Sequence, residues 1–222
     1  FFANLGATSL WDPDEPRQAI MAREMMERQD YLHPYLNGKP YLEKPPFHPW
    51  MIILASKLRG SLDETSARLP SAISAALLLF VVFFLGLALK DHTTGLVSAL
   101  ILATNFQFFL NARESVMDMT FAALIGVTIW CAWQSADRKR PFLFILSFVP
   151  AGFAILTKGP AGLILPAATL AILLLITKAE KKYFLFLVLG CILSSAIAAP
   201  WFVAAGKEYT VERLSEIIEL ET

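Results

Sequence analysis

Residues 71–89, SAISAALLLFVVFFLGLAL, run for nineteen positions without a charged side chain. A stretch of about 18 or more apolar residues, wound as an α-helix, reaches across the roughly 30 Å hydrocarbon core of a bilayer. The stretch therefore predicts a membrane-spanning helix. It belongs to the first of six hydrophobic blocks, at roughly 66–89, 95–112, 117–135, 142–157, 160–177 and 183–203, separated by short polar breaks. Backbone polar groups left unpaired in lipid are costly, so spans are helices or closed barrels. Barrel strands are about 10 residues long and alternate in polarity. These blocks are longer and do not alternate. The expected fold is all-α, a polytopic transmembrane helix bundle.

Composition agrees. The 222-residue chain is 56% hydrophobic and 17% charged, whereas a soluble domain carries about 25% charged residues. The net charge is zero, which gives no basis for a nucleic-acid partner. Cys131 and Cys191 both fall in apolar blocks and read as small buried residues rather than a disulfide or metal pair. The chain starts at Phe1 without a methionine and stops at Thr222 within a helical pattern, so it reads as a fragment. Residues 1–10, FFANLGATSL, read as the end of a first transmembrane helix, with no intact signal peptide. Residues 11–65 form a long polar loop, 66–203 the six spans, and 204–222 the start of a further polar segment.

Lys and Arg set the orientation. The breaks after the first, third and fifth blocks hold Lys90; Arg138, Lys139 and Arg140; and Lys178, Lys181 and Lys182. Those after the second and fourth hold Arg113 and Lys158 alone. Cytoplasmic breaks carry the basic excess. The 11–65 loop, the 111–118 corner, the 157–160 corner and the Pro200-Trp201 exit then share the outer face. Asp14, Glu43, Lys44, Arg113, Asp118 and Lys158 are expected to gather there.

Within the loop, Pro16 fits only a first helical turn, which starts a helix near Asp14 or Glu15 with Asp14 suited to be its N-cap. Over 17–28 one arc carries Ala19, Met21, Ala22, Met25 and Met26, and the other carries Arg17, Arg23, Glu24, Glu27 and Arg28, with Ile20 the exception. This is the pattern of an amphipathic helix at a membrane interface. Asn37-Gly38 signals a turn. Pro45 biases Lys44 towards extended backbone, and a second helix is expected from about Phe47 to Leu58. Trp11 and Trp50 fit an aromatic belt. Each charge has a structural alternative: Asp14 as a cap, Glu43 and Lys44 as a solvated pair, Arg113 and Lys158 as anchors of helix ends. Asp118, set among Val116, Met117 and Met119, calls for a partner or a role. His33, His48 and His92 show no metal-ligand spacing, and His48, four residues after Lys44, is the strongest of the three.

An ordered set of short motifs carries a resemblance. It comprises Trp11-Asp12-Pro13-Asp14-Glu15-Pro16-Arg17, Ala22-Arg23-Glu24-Met25, Pro34-Tyr35-Leu36-Asn37-Gly38 and Tyr41-Leu42-Glu43-Lys44-Pro45-Pro46. Ala67-Arg68-Leu69-Pro70-Ser71-Ala72, Met117-Asp118, Thr157-Lys158-Gly159-Pro160 and Ala199-Pro200-Trp201 follow. Over nearly its whole length the chain resembles the N-terminal half of the bacterial lipid A aminoarabinose transferase family, within the protein O-mannosyltransferase-like glycosyltransferases of GT-C fold. The resemblance implies a multi-pass protein of the bacterial inner membrane and an inverting glycosyltransferase. It implies a polyprenyl-phosphate sugar donor, a lipid (lipid A-like) or protein acceptor, membrane lipids as surroundings, and a site facing the periplasm.

By motif position the resemblance makes Asp14 and Asp118 the catalytic carboxylates and Arg17 and Lys44 the groups that bind the donor phosphate. It places Glu15, Tyr41, Glu43 and Lys158 at substrate-binding positions. Glu43 also matches a position that holds zinc in a family member, which makes a divalent metal a candidate cofactor with its other ligands beyond Thr222. The residue types suit the chemistry. Basic groups stabilise a departing phosphate, and a carboxylate on the opposite face orients or deprotonates an acceptor hydroxyl. A transporter whose loop gates a pathway, or a non-catalytic membrane subunit, is the alternative. Transporters place polar groups near the bilayer midplane, and here the charges collect at one surface.

Overall fold

The uncharged stretch forms most of a 26-residue helix in the computed structural model, which describes residues 1–11, 14–41 and 43–208, with side chains as far as residue 206. The Asp12-Pro13 step, Leu42 and residues 209–222 of the expected terminal segment lie outside the described residues. In chain order the helices are α1 (Asp14–Arg28), α2 (Phe47–Arg59), α3 (Glu64–Leu89), α4 (His92–Ala103), α5 (Phe106–Arg113), α6 (Met117–Asp137), α7 (Pro141–Leu146), α8 (Val149–Lys158), α9 (Ala161–Ile176) and α10 (Lys182–Glu208). A two-stranded hairpin, β1 (Tyr35–Leu36) and β2 (Lys39–Pro40), sits between α1 and α2.

All six hydrophobic blocks are helical, but not as six equal spans. α3, α6, α10 and the α7–α8 unit (Pro141–Lys158) are long and apolar enough to cross a membrane. The second block, expected as one span over 95–112, is broken between α4 and α5 with a bend of 69°. The cause is local. Asn105 takes extended backbone and its side chain accepts from Phe108 N–H at 3.0 Å, starting a new helix. Counted as one span, the bent pair makes a fifth, while α9 is apolar but sixteen residues long. Large apolar side chains such as Phe80, Ile101, Ile164 and Val188 stay exposed on the bundle, the surface expected of a protein whose solvent is lipid. The protein is a multi-pass membrane protein built as a polytopic helix bundle.

Helix ends follow sequence rules. Asp63 caps α3 by accepting from Ser66 N–H at 2.8 Å, and Asp63 N–H in turn donates to Ser66 Oγ at 2.8 Å. α1, α6 and α9 end in Schellman turns, with Gln29, Lys139 and Lys178 at the left-handed position usually held by glycine. Asn37 and Gly38, both at positive φ (55° and 79°), make the turn of the hairpin.

The loop is packed on the bundle. The apolar arc of α1, expected to face a membrane interface, covers α2 and the start of α3 instead. Ala19, Ala22 and Met25 meet Ile52, Ile53 and Ala67. Trp50 Nε1–H donates to Tyr31 O at 2.7 Å and Trp201 Nε1–H to Leu32 O at 2.8 Å, so α10 is tied to the loop as well. Residues 1–10, expected as the tail of a helix, form turns and bends. Several of their carbonyls accept hydrogen bonds from two arginines. Arg68 donates to Leu5, Thr8 and Ser9 oxygens at 2.6–2.9 Å, and Arg113 to Phe1 and Ala3 oxygens at 3.1 and 2.8 Å.

α8 and α9 cross at the Lys158 corner with almost no side-chain spacer. A Cβ on Gly162 would stand 2.3 Å from Ala154 C and Ile155 N. Small residues permit such backbone contact between apolar helices. Gly162→Ala is expected to lower stability by about 1–3 kcal/mol, read as a lower thermal midpoint in detergent. An unchanged midpoint would mean that α8 and α9 do not pack this closely.

Candidate active site at the front loop

The site is assembled from a clamp beneath it. Glu15, in the first turn of α1, is 3% exposed. Its Oε1 accepts from Arg68 Nε at 2.8 Å and Ser115 N–H at 2.7 Å, and its Oε2 from Arg68 Nη2 at 2.8 Å and Trp11 N–H at 2.8 Å. Burial pushes this carboxyl up, but Arg68 and the two backbone N–H groups outweigh it and hold it below the usual value. Glu15 was expected to bind substrate. In this structure each of its oxygens accepts two hydrogen bonds from the protein, which makes it a brace. The brace matters for placement, because Glu15 adjoins Asp14 and Ser115 lies three residues before Asp118. It holds the start of α1 against the start of α6.

Asp14 is the first residue of α1. Its exposed carboxylate makes no capping bond among the described residues and meets Arg17 Nη1 at 3.3 Å. Next to Arg17 stands Tyr41, 7% exposed, whose hydroxyl donates to Glu43 Oε2 at 3.1 Å. Burial, then the bond to the Glu43 carboxylate and its charge, push the Tyr41 phenol up to about 12, with Arg17 opposing. The phenol is therefore a proton donor at neutral pH, not an anion. Asp14, Arg17, Tyr41 and Glu43 form one surface cluster. Lys44 follows it directly, half-buried, three residues ahead of α2.

The second cluster joins two helix corners. Asp118, in the first turn of α6, is ion-paired to Lys158, the last residue of α8. Each charge suits its helix end, negative at an N-terminus and positive at a C-terminus. The Lys158 ammonium also lies 5.5 Å from the Phe121 ring centre.

α2 links the clusters. Phe47 packs on Phe153 of α8, ring centres 5.1 Å apart. His48, 1% exposed, bonds through Nδ1 to Thr120 Oγ1 at 3.1 Å, and Ser74 Oγ reaches the same oxygen at 3.3 Å. Burial drives His48 down to about 4, with Asp118 pulling the other way. It is neutral at physiological pH. The unfolded chain binds a proton near pH 6.5, so stability on this account is full above that pH. It falls as pH drops towards 4, by an amount on the order of a few kcal/mol. Acid unfolding of the wild type beside His48→Asn checks this: the wild type is expected to lose stability over that window and the variant much less. Equal acid slopes would refute it.

Arg113 does not join the site; it holds the carbonyls of residues 1–4. His33 is bonded to Asp30 through Nδ1 at 2.8 Å, and the His92 ring packs edge-on against Phe83. Among the described residues no group of three or more His, Cys, Asp or Glu is placed to hold a metal. Glu43, the metal candidate, has the Tyr41 hydroxyl on its carboxylate. The donor set a zinc ion requires is not supplied by the described residues. Arg68, the His48–Thr120–Ser74 chain and the bracing role of Glu15 escaped sequence reasoning. The one available signal was Arg68 itself, a charge set within the opening turns of an apolar helix.

Comparisons with known proteins bear on the family and on the fold, a GT-C-type helix bundle. Residues 43–203 match the family described as dolichyl-phosphate-mannose-protein mannosyltransferase. An uncharacterised protein of Aquifex aeolicus is 30% identical over 99% of this chain and 43% of its own length. The undecaprenyl phosphate-alpha-4-amino-4-deoxy-L-arabinose arabinosyl transferase of Pectobacterium carotovorum is 33% identical over 88% of this chain and 36% of its own. The crystal structure of ArnT from Cupriavidus metallidurans bound to undecaprenyl phosphate superposes with a TM-score of 0.84 at 28% identity, covering 94% of this chain and 39% of that one. Its apo form gives 0.83, covering 94% and 40%. The chain thus spans less than half the length of the relatives it matches.

Proposed function

The chain belongs to the dolichyl-phosphate-mannose-protein mannosyltransferase family, and from that premise we propose that it forms the donor-handling half of an inverting glycosyltransferase. The donor is a sugar on a polyprenyl phosphate, of the undecaprenyl class named for its relatives. The acceptor is a lipid of the lipid A kind, with a protein hydroxyl as the second option. The membrane is the bacterial inner membrane, the six hydrophobic blocks pass through it with the second bent and the fifth short, and the site faces the periplasm. In support, the breaks rich in Lys and Arg lie at the other end of the spans.

One observation carries the reading. The Glu15–Arg68–Ser115 clamp brings the Asp14–Arg17 pair of the loop to the same end as the Asp118–Lys158 pair of the helix corners. In the proposed reaction the acceptor oxygen attacks the anomeric carbon as the bond to the phosphate oxygen breaks, which inverts that carbon. The departing polyprenyl phosphate takes up the electron pair. Lys44 and Arg17 stabilise its charge, Arg17 with a planar fork suited to two phosphate oxygens. Asp14 receives the proton of a hydroxyl acceptor; a phosphate acceptor brings none, and Asp14 then only positions it. Asp118 holds Lys158 at the site edge, and the neutral Tyr41 donates its one O–H to Glu43 and so fixes that carboxylate where the sugar would lie.

The test is transfer itself. Full-length protein in liposomes, given a labelled polyprenyl-phosphate sugar and an acceptor lipid, is expected to move the label to the acceptor. Label crossing the bilayer on an unchanged donor would replace the reading with a transporter. Label that neither moves nor crosses would leave a non-catalytic subunit.

A further inference from the structure

At the end of the bundle away from the candidate site, a groove of about 300 Å³ opens between the last turns of α6 and the short α7. Trp130, Leu143 and Leu146 line it with apolar surface, Gln134 adds a polar side chain, and Arg138 and Arg140 its charge. No acidic side chain lines it. Both arginines are exposed, and neither forms an ion pair among the described residues. A neighbouring cavity differs in this respect. There Lys139 and Lys178 are offset by Asp137 and Glu180.

The way α6 ends produces this division. Arg140 N–H donates to Ser135 O at 2.8 Å and Lys139 N–H to Ala136 O at 3.0 Å, with Lys139 at φ 54°. In this Schellman turn the chain reverses at the left-handed residue. Arg138 and Arg140 border one groove while Lys139 borders the other. The turn is made by backbone bonds, so the two guanidinium groups are free of structural duty.

We propose that this groove seats one anionic glycerophospholipid of the surrounding bilayer, its phosphate held by Arg138 and Arg140 and an acyl chain laid along Leu143 and Leu146. Charge complementarity selects the headgroup, since two unpaired guanidinium forks match phosphate oxygens. Position selects a lipid over a soluble anion. The arginines stand at the end of a membrane-crossing helix, where headgroups lie, and the adjoining Phe142, Leu143 and Leu146 are 70%, 42% and 41% exposed. Basic pockets between helix ends are established sites for anionic headgroups in other membrane proteins. The inference is independent of the transferase reading.

Native mass spectrometry of the full-length protein in neutral detergent tests it. The probes are dioleoyl phosphatidylglycerol, dioleoyl phosphatidylcholine and inorganic phosphate. One phosphatidylglycerol is expected to remain bound in preference to the other two. Arg138→Gln with Arg140→Gln is expected to weaken that adduct at least roughly tenfold, as loss of charged hydrogen bonds requires. Lys90→Gln with Lys181→Gln, which removes the same charge from the same end outside the groove, is expected to leave it within about twofold. If the double arginine variant misfolds, Arg138→Gln alone is expected to give a partial loss. Equal retention of phosphatidylcholine, tight binding of phosphate alone, an equal loss in the lysine variant, or an adduct undiminished in the arginine variants would each overturn the proposal. The last outcome is also the one expected if another part of the protein fills the groove.

Discussion

Lys44→Ala is expected to cut sugar transfer by roughly 10²–10³-fold, the scale of losing one group that stabilises charge formed in a transition state. Lys44 is half-buried just ahead of α2, makes no ion pair among the described residues, and follows the Tyr41–Glu43 pair. Its ammonium is therefore uncommitted to folding. Removing it is expected to leave the thermal midpoint unchanged while the rate constant for transfer falls. Steady-state assays separate the effects. A loss confined to KM would mean that Lys44 binds donor and transition state equally, whereas an equal fall in kcat and kcat/KM places it on the charge formed as the phosphate departs. Asp14→Asn is expected to reduce transfer to a hydroxyl acceptor comparably and to a phosphate acceptor far less. Near-wild-type transfer by both variants would remove them from the site.

Glu15→Ala is expected to destabilise the fold by about 3–5 kcal/mol, more than the Gly162→Ala change at the α8–α9 crossing. It would leave the 5%-exposed Arg68 without its carboxylate and expose two backbone N–H groups, on Trp11 and Ser115, to the interior without acceptors. The Glu15 carboxyl lies below its unfolded value when folded. Its contribution is thus present above the ordinary carboxylate pKa and is lost as pH falls through the folded value. Thermal unfolding in detergent is the measurement. Glu15→Leu with Arg68→Met is expected to recover part of the loss, because no buried charge is then left alone. Recovery should be incomplete, since Arg68 also holds the Leu5, Thr8 and Ser9 carbonyls. A cost below about 1 kcal/mol for the single variant would show that the start of α1 is held some other way.

These changes also mark where sequence reading stops. α2 was expected over residues 47–58 and runs from Phe47 to Arg59, because a proline pair before it and Gly60 after it act on their nearest neighbours. The break at Asn105 was missed. Hydropathy averages over a window, and one residue taking an extended backbone to cap a new helix does not change the average. The apolar arc of α1 was legible as an arc, but amphipathicity alone does not say whether α2 or a lipid surface receives it. Arg113 shows the same limit: its charge placed it at the correct corner, and its carbonyl partners on residues 1–4 gave it another duty.

The sequence by itself determined that this is a helical membrane protein, where α2 and the longest spans begin and end, and which of its charges lie between them. Hydrophobic run length, caps and turn residues act over a few positions, so a linear reading captures them. Only the tertiary structure decided which charges work together. Glu15 and Arg68 are 53 residues apart, Lys158 and Asp118 are 40 apart, and His48 and Thr120 are 72 apart. Those pairings depend on how helices cross and which faces they bury. No local propensity encodes that, and it separates the bracing Glu15 from the exposed Asp14 beside it.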